Sequence, residues 1–211
     1  MSRFETAQVV APHAQTSADH VAVIPLGDAV VLAVADGAGN SRRGVEAAAA
    51  VVRATQSATV ERTDLMRPEA WSHVLKQCDH LLVSNGEGGE TTAVVALVTG
   101  HHIIGASVGD SELWLIHGDR HTALTEHQRR KPLLGRGEAT PVCFEVPWTE
   151  GVLLAGTDGL FKYADAPRIR ASASGPDLAS SARALASLPR LASGGLQDDV
   201  GLVLIRHPAS R

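Results

Sequence analysis

Ala29-Val30-Val31-Leu32-Ala33-Val34-Ala35-Asp36-Gly37 and Leu154-Ala155-Gly156-Thr157-Asp158-Gly159 are the two stretches on which the reading of this chain turns. The first is apolar from Ala29 to Ala35, only seven residues, and rich in valine. Turn residues bound it, Pro25-Leu26-Gly27-Asp28 before and Asp36-Gly37 after, so it reads as a strand buried on both faces. The second repeats its frame: both read Leu-Ala-x-x-Asp-Gly. Each is a buried strand that delivers an aspartate at its mouth, followed by a glycine that lets the backbone turn sharply.

On either side of these strands the periodicity alternates between two kinds. Val21–Ile24 reads as a strand. Gly44 to about Thr59 is dominated by alanine, which argues for a helix whose small side chains pack close to a neighbour. Pro68 and Glu69 start a second helix, with Trp71, Val74, Leu75, Cys78, Leu81 and Leu82 on one face. Thr91–Thr99, His101–Val108 and Glu112–His117 are strand-like runs split by short turns, which predicts a β-meander. Residues 126–141 are polar and glycine-bearing, an excursion from the sheet. Val142–Val146, Val152–Ala155 and Val200–Ile205 are further strands, and Asp177–Leu188 is an alanine-rich helix. The expectation is about eight strands and three or four helices in one domain over residues 1–211, without repeats or a linker. Helices fall in blocks between runs of strands, so the class is α+β.

Composition excludes several functions. In 211 residues, 19 basic side chains face 23 acidic ones, a formal charge of -4, and no basic run exceeds Gln128-Arg129-Arg130-Lys131. That speaks against a nucleic-acid partner, and 3% aromatic content leaves little for stacking single strands. Cys78 and Cys143 form neither a disulfide framework nor a thiolate zinc pattern. The first residues lack the apolar region of a signal peptide, and no run reaches the roughly 18 apolar residues of a membrane span. A cytoplasmic protein with no membrane partner is expected.

Two more acidic positions join the first two: Asp198-Asp199 just before the last apolar strand, and Asp110 in the turn Gly109-Asp110-Ser111. Carboxylates at the rims of buried strands repel one another unless a cation neutralises them or a proton is shared. Oxygen-only ligands favour Mg²⁺ or Mn²⁺, and two such ions sharing an aspartate can activate water against a phosphoryl group. Asp-Gly is also a common strand-end turn, and each pair alone can be read so. Gly105-Ala106-Ser107-Val108-Gly109 fits the nucleophile elbow of serine hydrolases, but the next run is strand-like where a helix is required. Gly37-Ala38-Gly39 lacks the third glycine of a dinucleotide loop, and Asp36 would repel a pyrophosphate. Of the ten histidines, none forms a helical His-x-x-x-His pair with an acid; His127 is singled out because it lies on the excursion.

In this order the motifs resemble those of the PPM-type, protein phosphatase 2C family of metal-dependent phosphatases in its compact bacterial form, along nearly the whole chain. Val34-Ala35-Asp36-Gly37-Ala38-Gly39 resembles its Asp-Gly-x-Gly motif, and Gly89-Glu90-Thr91-Thr92-Ala93 its Gly-x-Thr segment. Ser107-Val108-Gly109-Asp110-Ser111 resembles its Val-Gly-Asp-Ser turn, and Leu124-Thr125-Glu126-His127 stands where the family often has Leu-Thr-x-Asp-His. Leu154–Phe161 resembles its Ser-Asp-Gly-Leu-Trp motif, and Asp198-Asp199-Val200-Gly201 its Asp-Asn-x-Thr motif.

The resemblance implies a four-layer α/β/β/α sandwich, two central mainly antiparallel sheets flanked by helix pairs, with two Mn²⁺ or Mg²⁺ ions at one end. It implies Asp36 as the bridging ligand, the Gly37 carbonyl on one metal, and Asp158 and Asp198 on the other. Asp19 would support the site from behind; Asp110 is implied near a third metal, with Asp199 beside these. The implied reaction is hydrolysis of phosphoserine or phosphothreonine by a metal-activated water without a phosphoenzyme, on a phosphorylated protein, a Ser/Thr kinase or its targets. The chain departs from the family at Ala18, in place of the first-motif acid, and at Ala14, in place of a phosphate-binding arginine. Ala38 stands where eukaryotic members have a histidine, and Lys162 where an acid helps a third metal. Arg42 and Arg43 are the candidates to replace the arginine, and 126–141 is the short flap beside the site. These departures keep open a pseudophosphatase that binds phosphoproteins or a kinase without turnover, and a hydrolase of small phosphoesters.

Overall fold

The computed structural model describes residues 4–39, 42–61, 64–84 and 89–208. Asn40 and Ser41, which follow the Asp36 loop, lie outside them. Ten strands and five helices follow in the order β1 (Glu5–Ala11), β2 (Asp19–Leu26), β3 (Ala29–Asp36), α1 (Arg42–Val60), α2 (Pro68–Ser84), β4 (Ala93–Val98), β5 (His102–Val108), β6 (Glu112–His117), β7 (Arg120–Ala123), β8 (Val142–Pro147), β9 (Val152–Gly156), α3 (Asp158–Phe161), α4 (Ala166–Ala173), α5 (Leu178–Ser187) and β10 (Val200–Arg206). They build two five-stranded sheets, β1-β10-β9-β6-β7 and β2-β3-β4-β5-β8. Every adjacent pair is antiparallel.

Side-chain parity explains the unbroken apolar runs. Along β3, Val30, Leu32 and Val34 point into the core between the sheets, where they meet Leu113, Leu153, Ala155, Val203 and Ile205. Val31, Ala33 and Ala35 point the other way, onto Ala48, Val51, Trp71 and Leu75 of α1 and α2. On the second sheet Leu154, Leu202 and Leu204 pack outward against Ile169, Leu178, Ala182 and Leu185 of α4 and α5. A strand covered on both faces has no polar side to alternate with, and the layers are therefore α/β/β/α. Ala47 and Ala48 are almost fully buried, which lets α1 lie close on its sheet.

Three expectations change. Thr91–His117 is not a meander: β4 and β5 pair, but β6 leaves for the other sheet, between β9 and β7. The turn at Gly109, with φ of 100°, carries the chain across the sandwich. Alternation reports which faces are buried and not which strand is the neighbour, so this crossing left no mark in the sequence. β1, β7, α3 and α4 are additional to the expected elements: the helices and β7 are short, and β1 and β7 lie at the sheet edges, where burial is only partial. On α2, Trp71, Val74, Leu75 and Cys78 are buried as expected, but Leu81 is exposed and its place is taken by Asp79.

Asp79 explains how the excursion at 126–141 is held. Its Oδ1 accepts the amides of Gly135 (2.6 Å) and Gly137 (2.9 Å), and its Oδ2 accepts that of Ala139 (3.0 Å). One carboxylate thus ties the excursion to α2 while itself 4% exposed. Asp79→Ala leaves three amides without an acceptor, a loss of about 2–4 kcal/mol. In a domain of this size the melting temperature should fall by on the order of 10 °C, and limited proteolysis should cut first within 126–141. A variant that melts like the wild type would mean that the loop is held otherwise.

Candidate active site

Asp36 ends β3, and Thr91 and Thr92, the two residues before β4, fix it from the side. The Asp36 amide donates to Thr92 Oγ1 (3.0 Å), while its carbonyl accepts from the Thr92 amide and Thr91 Oγ1 (both 2.9 Å). Thr92 Oγ1 is also 2.6 Å from Ser111 Oγ, which ties the Gly109 turn to the same point. Asp19 is the register partner of Asp36 across β2 and β3. It is 4% exposed and accepts a 2.7 Å hydrogen bond from Thr157 Oγ1. Thr157 in turn accepts from the Gly201 amide (3.0 Å) and precedes Asp158, the first residue of α3. Two hydroxyls, on Thr92 and Thr157, therefore align the acid-bearing strand ends of both sheets.

The glycines after the two aspartates act differently from the sharp turn expected. Neither has a positive φ. A Cβ on Gly37 would run into the backbone of Gly44 at the start of α1, and one on Gly159 into the carbonyl of Asp199. Their task is close approach: Gly159 brings Asp158 against the Asp198-Asp199 segment, and Gly37 brings the Asp36 loop against α1.

Asp36, Gly37, Asp158, Asp198 and Asp199, with Ala18, Ala38 and Gly39, line one depression of about 280 Å³. Asp199 is turned to the backbone: it accepts from the amides of His13 (2.6 Å) and Ala18 (2.7 Å) and so pins the loop between β1 and β2. Asp198 accepts from the Asp199 amide (3.0 Å). Asp110 lies outside the lining but close enough for its charge to act on Asp36 and Asp158. Ala14 is exposed on the pinned loop. Arg42 pairs with Glu46 at 2.8 Å, and Arg43 lines a groove between α1 and α2. His127 is exposed on the excursion. Lys162 reaches to 4.0 Å from Asp158 Oδ2. Thr92, Thr157, Ser111 and Asp79 were not singled out from sequence; for Thr92 a signal existed, its place in the Gly-x-Thr segment.

The acids strain against each other. Burial first, then the charges of Asp158, Asp198, Asp110 and Asp199, push the Asp36 carboxyl up to about 7. Burial and the neighbouring Asp36 and Asp199 push Asp19 up to about 8, against the bond from Thr157. Burial, Asp110 and Asp198 raise Asp158, and Lys162 and Arg130 hold it back. As placed, no three His, Cys, Asp or Glu side chains among the described residues enclose a metal ion. The donor set is nevertheless oxygen-only and over-charged, the chemistry that Mg²⁺ or Mn²⁺ satisfies.

A four-layer antiparallel sandwich with aspartates at one rim is the architecture of the PPM-type phosphatases. The family model of Stage II sporulation protein E (SpoIIE), a PPM-type phosphatase family, matches residues 27–208, and the chain belongs to that family. No curated protein matches it by sequence. Among solved structures it is similar to a bacterial serine phosphatase carrying an arginine-to-alanine substitution, at TM-score 0.86 and 20% identity over 99% of this chain and 100% of that one. It is similar to the catalytic domain of the serine/threonine phosphatase PstP in complex with two manganese ions, at TM-score 0.83 and 20% identity over 96% and 97%. It is also similar to MsPP from Mycobacterium smegmatis in complex with cacodylate, at TM-score 0.78 and 19% identity over 99% and 100%. These likenesses establish the fold. Among the described residues no helix is long and apolar enough to cross a membrane.

In an unfolded chain Asp19 and Asp36 titrate near 3.8, whereas the folded metal-free state keeps their protons to about 8 and about 7. Between those limits the folded state binds more protons, so their contribution to stability is present below about pH 4 and is lost as pH rises to about 8. Asp36→Asn removes one of the repelling charges. Metal-free Asp36→Asn should therefore melt higher than metal-free wild type at about pH 8, with the gap closing toward about pH 5. An equal gap at both pH values would overturn this account of the rim.

Proposed function

We propose that the chain is one phosphatase domain over residues 1–211, hydrolysing phosphoserine or phosphothreonine in a phosphorylated protein with the help of Mn²⁺ or Mg²⁺. The observation that carries this reading is the shared depression of Asp36, Gly37, Asp158 and Asp198, whose carboxyls repel one another. Asp36 and the Gly37 carbonyl would hold one ion, and Asp36 with Asp158 and Asp198 a second. Two divalent cations, when bound, offset the clustered charge and supply Lewis acidity toward water and the phosphoester. Asp19 stands behind Asp36 and, through Thr157, sets the start of α3 from which Asp158 projects. Asp199 fixes the wall that carries Ala18. The PstP structure holds two manganese ions, and a cytoplasmic place beside a Ser/Thr kinase or its targets suits such an activity.

A second reading, a non-catalytic module that binds phosphoproteins or a kinase, draws on two features. Among the described residues no three His, Cys, Asp or Glu side chains converge on one point, and the wall at Ala18 is apolar.

Turnover of p-nitrophenyl phosphate and of a phosphothreonine peptide should require Mn²⁺. Asp36→Asn and Asp158→Asn should each lower kcat by about a thousandfold, the effect of losing several kcal/mol of charge stabilisation. Wild-type protein that binds phosphopeptide without any Mn²⁺-dependent turnover would establish the second reading; cleavage of the small ester alone would make this a small-phosphoester hydrolase. Independently of activity, Mn²⁺ at about 100 times its Kd should stabilise the fold by about 2.7 kcal/mol, read as a rise of about 5–10 °C in melting temperature that EDTA reverses.

A further inference from the structure

A phosphomonoester is a dianion, and the depression lined by Asp36, Asp158 and Asp198 presents it with carboxylates. Most cationic side chains near the rim are engaged elsewhere. Arg42 pairs with Glu46 (2.8 Å) and Arg136 with Glu90 (2.7 Å). Arg43 lines the groove between α1 and α2. Lys131 lines a separate depression with Glu90, Pro132, Arg136 and Glu138. Lys162, which caps the C-terminus of the short helix that Asp158 begins, reaches back to it at 4.0 Å.

The basic run at 129–131 lies on a strap fixed at two points, both beside the acids. At one end the Gly109 amide donates to the Arg129 carbonyl (3.0 Å), and Gln128 Nε2 donates to the Ser111 carbonyl (2.7 Å), so the strap leaves from the turn that carries Asp110. At the other end Leu134 and Thr91 exchange two backbone hydrogen bonds of 3.1 Å, and Thr91 bridges to Gly37, next to Asp36. Residues 130–133 must therefore run from the Asp110 turn to the Asp36 loop. Within that span Leu133 is buried, and Lys131 and Pro132 face the separate depression. Arg130 remains. It is exposed, and no carboxylate among the described residues stands within ion-pair distance of it. Its charge acts on Asp158, opposing the push of Asp110 and Asp198.

We propose that Arg130, held over the rim by this strap, is the side chain that receives the non-bridging phosphoryl oxygens of the substrate. The inference rests on the phosphatase reading of the site. A guanidinium suits the task because its planar fork meets two oxygens at once, which a lysine ammonium does not. A strap fixed at two points delivers that fork with little freedom left to lose on binding.

The test titrates inorganic phosphate by calorimetry into the Mn²⁺-loaded full chain, and measures p-nitrophenyl phosphate kinetics alongside. Arg130→Ala should weaken phosphate binding by about 10- to 100-fold, the usual worth of a charge-assisted bidentate contact, and should raise KM more than it lowers kcat. Arg130→Lys should recover part of the phosphate affinity. Arg129→Ala, whose backbone carbonyl and not its side chain serves the anchor, should stay within about twofold of wild type, since it keeps that contact. Mn²⁺ binding should be unchanged in Arg130→Ala, which separates a phosphate contact from a disturbed metal site. Phosphate affinity in Arg130→Ala within twofold of wild type, or an equal loss in Arg129→Ala, overturns the assignment. A wild type that binds phosphate through Arg130 but turns nothing over would overturn the phosphatase reading and leave the contact established.

Discussion

Electrostatic repulsion among aspartates at one rim of the sandwich is the constraint around which this molecule is arranged. Asp19 and Asp36 face each other across β2 and β3, while Asp158 and Asp198 arrive from the other sheet. Left to relax, the four would move apart. They are held by backbone and hydroxyl contacts that do not depend on their charge: Thr91 and Thr92 grip the Asp36 peptide, Thr157 joins Asp19 to Gly201, and Gly159 seats α3 on the Asp198-Asp199 segment. The rim is preorganised for positive charge and is least comfortable without it.

The two sheets are what make that grip rigid. Their shared core of valine, leucine, isoleucine and alanine is almost wholly excluded from solvent. A rim built on such strands moves little, because a close-packed interior resists shear. Loops placed above it, the pinned segment between β1 and β2 and the strap at 128–134, are each tied down by a few hydrogen bonds to side chains or amides. Rigid acids below and tethered loops above would suit the proposed substrate, a small dianion held in one orientation.

Much of this is legible in the sequence. Burial on both faces shows as an unbroken apolar run, and a helix beside a sheet shows as alanine at close spacing; hence β3, β9, β10, α1 and the class of fold. The acids at Asp36, Asp158 and Asp198 stood out because polar residues end apolar strands there. What stayed hidden is pairing information. Nothing in Glu112–His117 says that its partner is β9 and not β5, since both neighbours offer the same apolar face. Nothing local to Asp79 marks it as buried: what buries it is three amides from a loop about 60 residues away. Gly37 and Gly159 have the composition of turns, but what they avoid is a collision with chain 7 to 40 residues away, which only the folded backbone reveals.

β10 is the last strand in the chain, yet it lies second in its sheet, between β1 and β9. Among the described residues β1 has no sheet neighbour other than β10. β1 can therefore pair only once β10 has been made, after every other described strand, and Asp198 joins the rim only then. A chain made only as far as α3 carries Asp36 and Asp158 but not Asp198, and the β1–β10 pairing spans the greatest sequence separation of the described strand pairs. The strand order thereby makes the acid rim the last part of this fold to assemble.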